Sequence, residues 1–244
     1  SDATRVNVTI NGIPYNDAES QGTFWVNLPD FASSVETIQL QRGVGTSTNG
    51  SAAFGASLNL KTEALQEEAF ASIATSLGSF NSLKNTLQFS SGTLNKGFTL
   101  SGRLSQINSD GYVDRASSNL NSYFFQGTFK DENTLIKALV FGGQEITYQS
   151  WYGLDPIKLE SNRTYNPAGE IYDQSGNRVA FYDNQVDDYT QDHYQLHWDE
   201  KINSIWSVSL GLNYTYGRGF YEEYNDLWQD QNISFVGNTS FNYL

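Results

Sequence analysis

The chain has 244 residues, a formal net charge of −13 and no cysteine. The lack of cysteine excludes disulfides and thiolate metal sites, and the acidic balance argues against nucleic acid as a partner, because phosphate binding needs basic patches. No apolar run approaches the roughly 20 residues of a helical membrane span. A strand barrel is compatible with the composition, since aromatic residues make up 14% of the chain and Tyr and Trp suit surfaces that meet both lipid and water.

The first 64 residues form a glycine-rich unit that differs from the rest of the chain. Two predicted strands, Thr37 to Gln41 and Ser57 to Thr62, flank a loop of Gly, Ser, Thr and Asn that begins at Gly43. The loop lacks the Gly-Lys-Ser/Thr of a phosphate-binding loop and no helix follows it, so a nucleotide site is not expected. We interpret it as a tight loop in which glycine supplies positive φ angles.

From Glu68 onward, long segments alternate apolar and polar residues, which is typical of amphipathic strands. The clearest segment runs from Ile205 to Tyr216. One of its faces carries the apolar residues Trp206, Val208, Leu210, Leu212, Tyr214 and Tyr216. Leu135 to Tyr148 is less clear because apolar residues occupy both faces. The last such segment is Ile233 to Tyr243. Together the alternating segments predict about eight antiparallel strands of a transmembrane barrel.

The predicted connections alternate in length along the chain. After a short first link at Phe80-Asn81, the links at Thr93 to Lys96, Asp131 to Asn133 and Lys201 to Asn203 are tight. The links at Asn108 to Asn119, Gln149 to Asp187 and Gly217 to Gln231 are long. Long loops thus collect at one end of the sheet and tight turns at the other, as in outer-membrane barrels. A soluble β-sandwich that binds a ligand, or a small passive outer-membrane barrel, is the alternative interpretation.

Three ordered motifs in the first 64 residues resemble the plug of the TonB-dependent receptors of Gram-negative outer membranes. They are the segment VNVTINGIP from Val6, the strand VETIQLQRG from Val35, and Phe54-Gly55 followed by SLNLKT from Ser57. The segment NDAESQGTFW from Asn16 is similar to the variant found among Bacteroidetes members.

The resemblance implies an all-β protein with a partial plug domain at residues 1–64 and the first strands of a barrel at residues 65–244. Because family barrels have roughly 22 strands around a plugged lumen, the chain is expected to be a fragment.

The resemblance also implies the function. We expect energised uptake of a scarce ligand across the cell outer membrane, with a ferric siderophore or a ferric citrate-like chelate as the leading class and a corrinoid, haem or oligosaccharide behind it. The implied partners are the TonB energy-coupling complex, outer-membrane lipid, the small-molecule ligand and, as an open question, a surface lipoprotein. No enzyme activity, cofactor or nucleic-acid partner is expected.

The candidate ligand contacts are mostly aromatic and arginine residues, because these side chains dominate binding anchors. These candidates are Gln21, Phe24, Trp25, Trp151, Tyr152, Arg163, Tyr165, Arg178 and Tyr182. By resemblance, Glu36 and Arg42 are expected to join the plug to the barrel wall. His193 and His197 lie ~13 Å apart if they share a strand, too far to share one metal ion, and we interpret them as polar residues that face the lumen. No metal site is expected.

Overall fold

The computed structural model describes residues 3–44, 54–62 and 66–225 of the chain. The N-terminal part forms a small mixed sheet in which the strand order is β2-β1-β4-β3. Its strands are β1 (Val6–Ile10), β2 (Ile13–Pro14), β3 (Val35–Arg42) and β4 (Ala56–Thr62). β4 pairs parallel with β1 and antiparallel with β3, so the chain returns through the middle of the sheet. Most of the glycine-rich loop that follows Gly43 lies outside the described residues.

The second sheet is an up-and-down meander with the strand order β13-β12-β9-β8-β7-β6-β5, all pairs being antiparallel. Its strands are β5 (Ala69–Leu77), β6 (Leu83–Ser91), β7 (Phe98–Ser109), β8 (Ser118–Lys130), β9 (Thr134–Tyr148), β12 (Val186–Lys201) and β13 (Ser207–Glu222). The connection between β9 and β12 contains helix α1 (Pro156–Ser161) and the hairpin of β10 (Glu170–Tyr172) and β11 (Arg178–Phe181). We call the seven-stranded sheet the wall. The predicted eighth strand, at 233–243, lies outside the described residues.

Apart from the short first turn, 78–82, which lies beside the link 110–117, the connections of the wall sort by length between its two ends, as the sequence predicts. Strand β13 continues to Glu222, past the predicted start of the last long link at Gly217. The link 131–133 and the link 202–206 lie at one end, and the links 110–117 and 149–185 lie at the other. The first turn, between β5 and β6, places Phe80 and Asn81 at φ angles of 59° and 53°. We call the two ends the tight-turn end and the long-loop end.

The two faces of the wall differ as the alternation predicts. On β7 the outward side chains of Leu100 and Leu104 are 56% and 43% exposed, whereas Arg103 on the inner face is 2% exposed. Leu210 and Tyr214 on β13, and Trp206 just before it, also lie on the outer surface rather than in a dry interior between two layers. The exposed outer face is therefore apolar and the covered inner face is polar, which excludes a sandwich core for these side chains.

Strand β9 departs from simple alternation because it lies beneath the first sheet. Its inward residues Leu139 and Phe141 are buried, although outward residues of the same strand are apolar as well. Both pack in a single core with inward residues of the first sheet and with Phe124 of β8. The members of this core are Val8, Ile10, Leu28, Phe31, Leu60, Phe124, Leu139 and Phe141. The main hydrophobic core of the described chain thus lies between the small sheet and the inner face of the wall.

None of the helices in the described residues has the length and apolar character that crossing a membrane requires.

Candidate ligand site between the small sheet and the wall

The loop at residues 15–27 is held in one shape by its own polar side chains. Asn16 accepts a hydrogen bond from the backbone of Val8 at 2.7 Å and donates to the carbonyl oxygens of Val6 and Gln21 at 2.8 and 3.0 Å. Asp17 accepts hydrogen bonds from the backbone and hydroxyl of Ser20 at 2.7 and 2.9 Å. These bonds lower the pKa of Asp17, so its carboxylate stays ionised.

Polar contacts join this part of the chain to β12 of the wall. The amide of Asn11 donates to Gln195 Oε1 at 3.2 Å, and the hydroxyl of Tyr15 donates to Gln191 Oε1 at 3.2 Å. The ring of Tyr15 lies 5.4 Å from the ring of His193. Burial, followed by the charge of Tyr189, raises the pKa of Tyr15, so its hydroxyl remains a donor.

His193 faces inward and is part of this contact. Its Nε2 lies 3.0 Å from Gln191 Oε1 and its Nδ1 lies 3.0 Å from Thr215 Oγ1. Because the amide oxygen accepts, Nε2 carries the ring proton and Nδ1 accepts from the threonine hydroxyl. The imidazole also stacks on Phe141 at 4.9 Å, which confirms the prediction of a histidine facing the lumen.

Asp30 forms the charged contact between the small sheet and the wall. One carboxylate oxygen lies 2.6 Å from Lys84 Nζ and the other lies 2.9 Å from an Arg103 guanidinium nitrogen. Ser105 donates to the same carboxylate at 2.5 Å, and Arg103 also donates to Ser34 at 2.7 Å. Burial raises the pKa of Asp30, but the hydrogen bonds from Lys84 and the serines and the charge of Arg103 outweigh it, so the pKa lies below its usual value.

Asp30 could not be singled out from the sequence, because an Asp after Pro is typical of a turn. Its partners come from β6 and β7, far along the chain. The available clues were Arg103 and Lys84, each the single cation on the inner face of its strand. A buried cation on such a face requires an anionic partner.

A cavity of about 800 Å³ separates the loop at 15–27 from β12 and β13. The loop contributes Tyr15, Asn16, Asp17, Glu19 and Phe24 among others. The wall contributes Asp187, Tyr189, Gln191, His193, Gln195, Asn213 and Thr215 among others. The cavity therefore combines aromatic rings, amides and carboxylates, the groups that fix a small polar ligand.

The three predicted contacts in the first sheet lie on the loop at 15–27. Phe24 lines the cavity and is half exposed. Trp25 is also half exposed, with its ring 6.4 Å from that of Tyr15. Gln21 is exposed at the left-handed φ angle of 61° and donates to the carbonyl oxygen of Ala18. Of the three, only Phe24 is among the residues that line the cavity.

Three of the six predicted contacts in the long loop, Tyr165, Arg178 and Tyr182, instead pack against other side chains of the protein. Lys158 lies over the ring of Tyr165 at 3.9 Å, Arg178 lies over Phe181 at 4.4 Å, and Tyr182 donates to Glu222. Arg115, which the sequence did not single out, lies over Phe181 at 3.5 Å.

The remaining three residues in this loop face solvent. Arg163 is exposed, and the adjacent rings of Trp151 and Tyr152 are 62% and 43% exposed. The structure does not bring any of the six long-loop residues to the cavity wall, and their role in ligand binding stays a prediction.

Glu36 and Arg42 both lie exposed on β3. Within the described ranges neither residue forms an ion pair, although the charge of Glu36 acts on Lys137 of β9. Their role as a contact between plug and wall stays a prediction.

No group of three or more His, Asp or Glu side chains in the described part of the chain could hold a metal ion.

No family model matches the chain, and no curated protein matches its sequence. Solved structures do match. The ferric-catecholate import receptor Fiu from E. coli K12 superposes with a TM-score of 0.68 at 15% identity, over 91% of this chain and 33% of that one. The siderophore receptor PiuA from Acinetobacter baumannii gives 0.64 at 13% identity, over 90% and 30%. The ferric citrate transporter FecA gives 0.61 at 16% identity, over 91% and 32%.

The described chain is thus a plug sheet set against the inner face of an antiparallel barrel wall. This is the fold of the TonB-dependent siderophore receptors, and the chain spans about a third of the length of the solved receptors that it matches. These neighbours are transport receptors rather than enzymes.

Proposed function

We propose that the chain is part of a TonB-dependent receptor that takes up a ferric siderophore or a ferric citrate-like chelate across the outer membrane. The observation that carries this proposal is the buried contact between the small sheet and the inner face of the wall. Val8, Ile10 and Leu60 pack there against Phe124 and Phe141. A pore blocked by such a contact admits a ligand only after the block moves.

Movement of the block costs free energy, because the contact combines an apolar core with a buried ion pair at Asp30 and Arg103. The TonB energy-coupling complex is the proposed source and partner. Outer-membrane lipid is the proposed partner of the outer face, where Leu100, Leu104 and Leu210 are exposed. We assign residues 1–64 to the plug domain and residues 65–244 to the barrel.

The proposed ligand contact is the loop at 15–27 with the facing strands β12 and β13. Phe24 and Tyr15 supply rings, and Gln191 and Gln195 supply amides. The long-loop residues are proposed to cover this region when ligand is present.

The test is iron uptake by the bacterium that carries the intact gene. A deletion strain is compared with its complemented parent for uptake of radioactive iron from hydroxamate, catecholate and citrate chelates. We expect the deletion to abolish uptake of one chelate class and to leave the others unchanged. A parent strain whose TonB complex is disabled is expected to lose the same uptake.

Unchanged uptake of every iron source would refute iron transport by this receptor. If the deletion strain instead fails to grow on a corrinoid, haem or an oligosaccharide, the proposed ligand class is wrong and the proposed receptor function stands. Uptake that persists without TonB would favour a passive barrel.

A further inference from the structure

The cavity between the loop at 15–27 and the wall has an unbalanced charge. Asp17, Glu19 and Asp187 line it, and no Lys or Arg is among the described residues of its lining. A site for a polyanion normally presents cations that pair with the ligand. The lining therefore has the wrong sign for an anionic chelate.

The carboxylates of this cavity are not neutralised within the described chain. Asp17 accepts hydrogen bonds only from neighbouring loop groups, the backbone of Glu19 and the backbone and hydroxyl of Ser20. The salt bridges of the described residues include none with Asp17, Glu19 or Asp187. Their negative potential consequently extends into the cavity.

A further acidic residue, Glu145, lies on the inner face of the wall behind the cavity and is not among its lining residues. Glu145 is 1% exposed, and its Oε2 has no hydrogen-bond partner among the described residues. Glu145 pairs in register with Tyr189, so both side chains lie on the inner face of the wall. Asp187 lies close enough for its charge to act on Glu145. Glu145 adds an acid to this region, but the charge selection depends on the three carboxylates of the lining, Asp17, Glu19 and Asp187.

The remaining lining suits the apolar body of a chelate. Tyr15, Phe24 and Tyr189 supply rings, and Asn213 and Gln191 supply amides that can donate to a carbonyl oxygen. The volume of about 800 Å³ lies in the usual range of ligand pockets, roughly 300 to 1,000 Å³.

We propose that this cavity selects neutral or cationic ferric chelates, with a ligand ammonium or guanidinium group held against Asp187, Glu19 and Asp17, and that it rejects polyanionic chelates. The inference rests on the proposed uptake of a ferric chelate and narrows its class. Hydroxamate groups can balance the charge of Fe³⁺ and leave a neutral complex. Catecholate and citrate complexes retain net negative charge, which the lining repels.

The test uses three ferric chelates that share the same iron-binding groups and differ only in net charge. The intact receptor, purified in detergent, is titrated with a linear ferric trihydroxamate that carries a free amine, with its N-acetylated form, and with its N-succinylated form. These probes are cationic, neutral and anionic. From the Coulomb energy of one charge near several carboxylates, we expect the cationic probe to bind at least about tenfold more tightly than the anionic one at low salt. Added salt should reduce this preference.

Two variants locate the effect. In the double variant Glu19→Gln, Asp187→Asn, the preference between cationic and anionic probes should fall by about threefold or more. The control Glu132→Gln removes an exposed carboxylate in the link 131–133, at the tight-turn end. It should leave the preference unchanged.

The outcomes separate this inference from the proposed function. Equal binding of the three probes, or tighter binding of the anionic one, overturns the charge selection. Failure of all three probes to bind, with gene-dependent iron uptake still present in cells, also overturns it and leaves the receptor function intact. Absence of gene-dependent iron uptake would refute the proposed function itself.

Discussion

Two of the contacts that hold the small sheet against the wall are built from different chemistry. One is the apolar core around Phe124 and Phe141, and the other is the ion pair of Asp30 with Arg103 and Lys84. Apolar packing is insensitive to salt and to pH near neutrality, whereas a charged contact depends on the protonation of its acid. A plug held by both is stable at rest and retains one contact that a change in charge can loosen.

The apolar contact is expected to give the largest effect when it is broken. Replacement of Phe124, which is 1% exposed, by alanine removes a ring from the core and leaves a cavity. The free energy that holds the plug against the wall should fall by about 3–5 kcal/mol. Hydrogen exchange at the β1 amides of the intact receptor measures this change as a local opening free energy.

The matched control is Phe125→Ala, one residue further along the same strand. Phe125 faces outward and is 36% exposed, so its loss should leave exchange in β1 unchanged. Equal effects of the two substitutions would show that the plug does not depend on the inward ring.

The ion pair is expected to give the next largest effect. Arg103→Met removes the buried partner of Asp30 and leaves the carboxylate with Lys84 and Ser105. Breaking a buried pair costs about 3–5 kcal/mol, and the remaining partners should reduce this loss to about 2–3 kcal/mol. The same exchange measurement checks the value, read here at the amides of residues 31–35.

Lys84→Met is the control for burial. The Lys84 side chain is 32% exposed, and removing a partly exposed partner should cost less than about 1 kcal/mol. A larger loss for Lys84 than for Arg103 would contradict the assignment of Arg103 as the principal partner.

A backbone contact gives the third prediction. A Cβ at Gly143 would lie 2.6 Å from Pro29 Cγ and 2.3 Å from the carbonyl oxygen of Asn121. Gly143→Ala should therefore displace the plug from the wall and cost about 1–3 kcal/mol. Thermal unfolding of the intact receptor measures the loss. Gly127→Ala, whose Cβ would meet Leu100 at an ordinary 3.5 Å, should be tolerated.

The wall could be predicted from sequence more completely than the contact with the plug. Alternation over β7 or β13 assigns each residue to a face without knowledge of its neighbours. Strand β9 does not follow this pattern, because its inward residues Leu139 and Phe141 are apolar too. They pack in the core against the plug rather than facing lipid. Asp30 was missed for a related reason, since its partners are set by the tertiary fold alone.

The candidate ligand residues divide in the same way. Phe24 was predicted from its residue type and lies at the cavity, as its segment suggested. Tyr165 and Arg178 have the composition of a binding site but pack within their own loop. Residue type identifies side chains that could anchor a ligand. The fold decides whether they contact a ligand or pack against the protein itself.

The smallest effect is expected from pH, because it acts on one proton of the charged contact. The pKa of Asp30 is lower in the folded chain than in the unfolded one. Its stabilising contribution is therefore fully present above the ordinary value of about 4 and is lost as pH falls through the folded value. The charged groups that face it are the cations Lys84 and Arg103. Hydrogen exchange at residues 31–35 should thus accelerate, after correction for intrinsic rates, as pH falls below about 4.

The variant Asp30→Asn separates this proton from every other acid of the receptor. It removes the titrating group and retains a polar side chain of similar size, so exchange at 31–35 should be faster than in the parent at neutral pH and should lose most of its acid dependence. At β1, which is held by the apolar contact, Asp30→Asn should change neither the exchange rate nor its dependence on pH. If exchange at 31–35 in the variant still accelerates at low pH as much as in the parent, another carboxyl causes the acceleration and the role given to Asp30 is wrong.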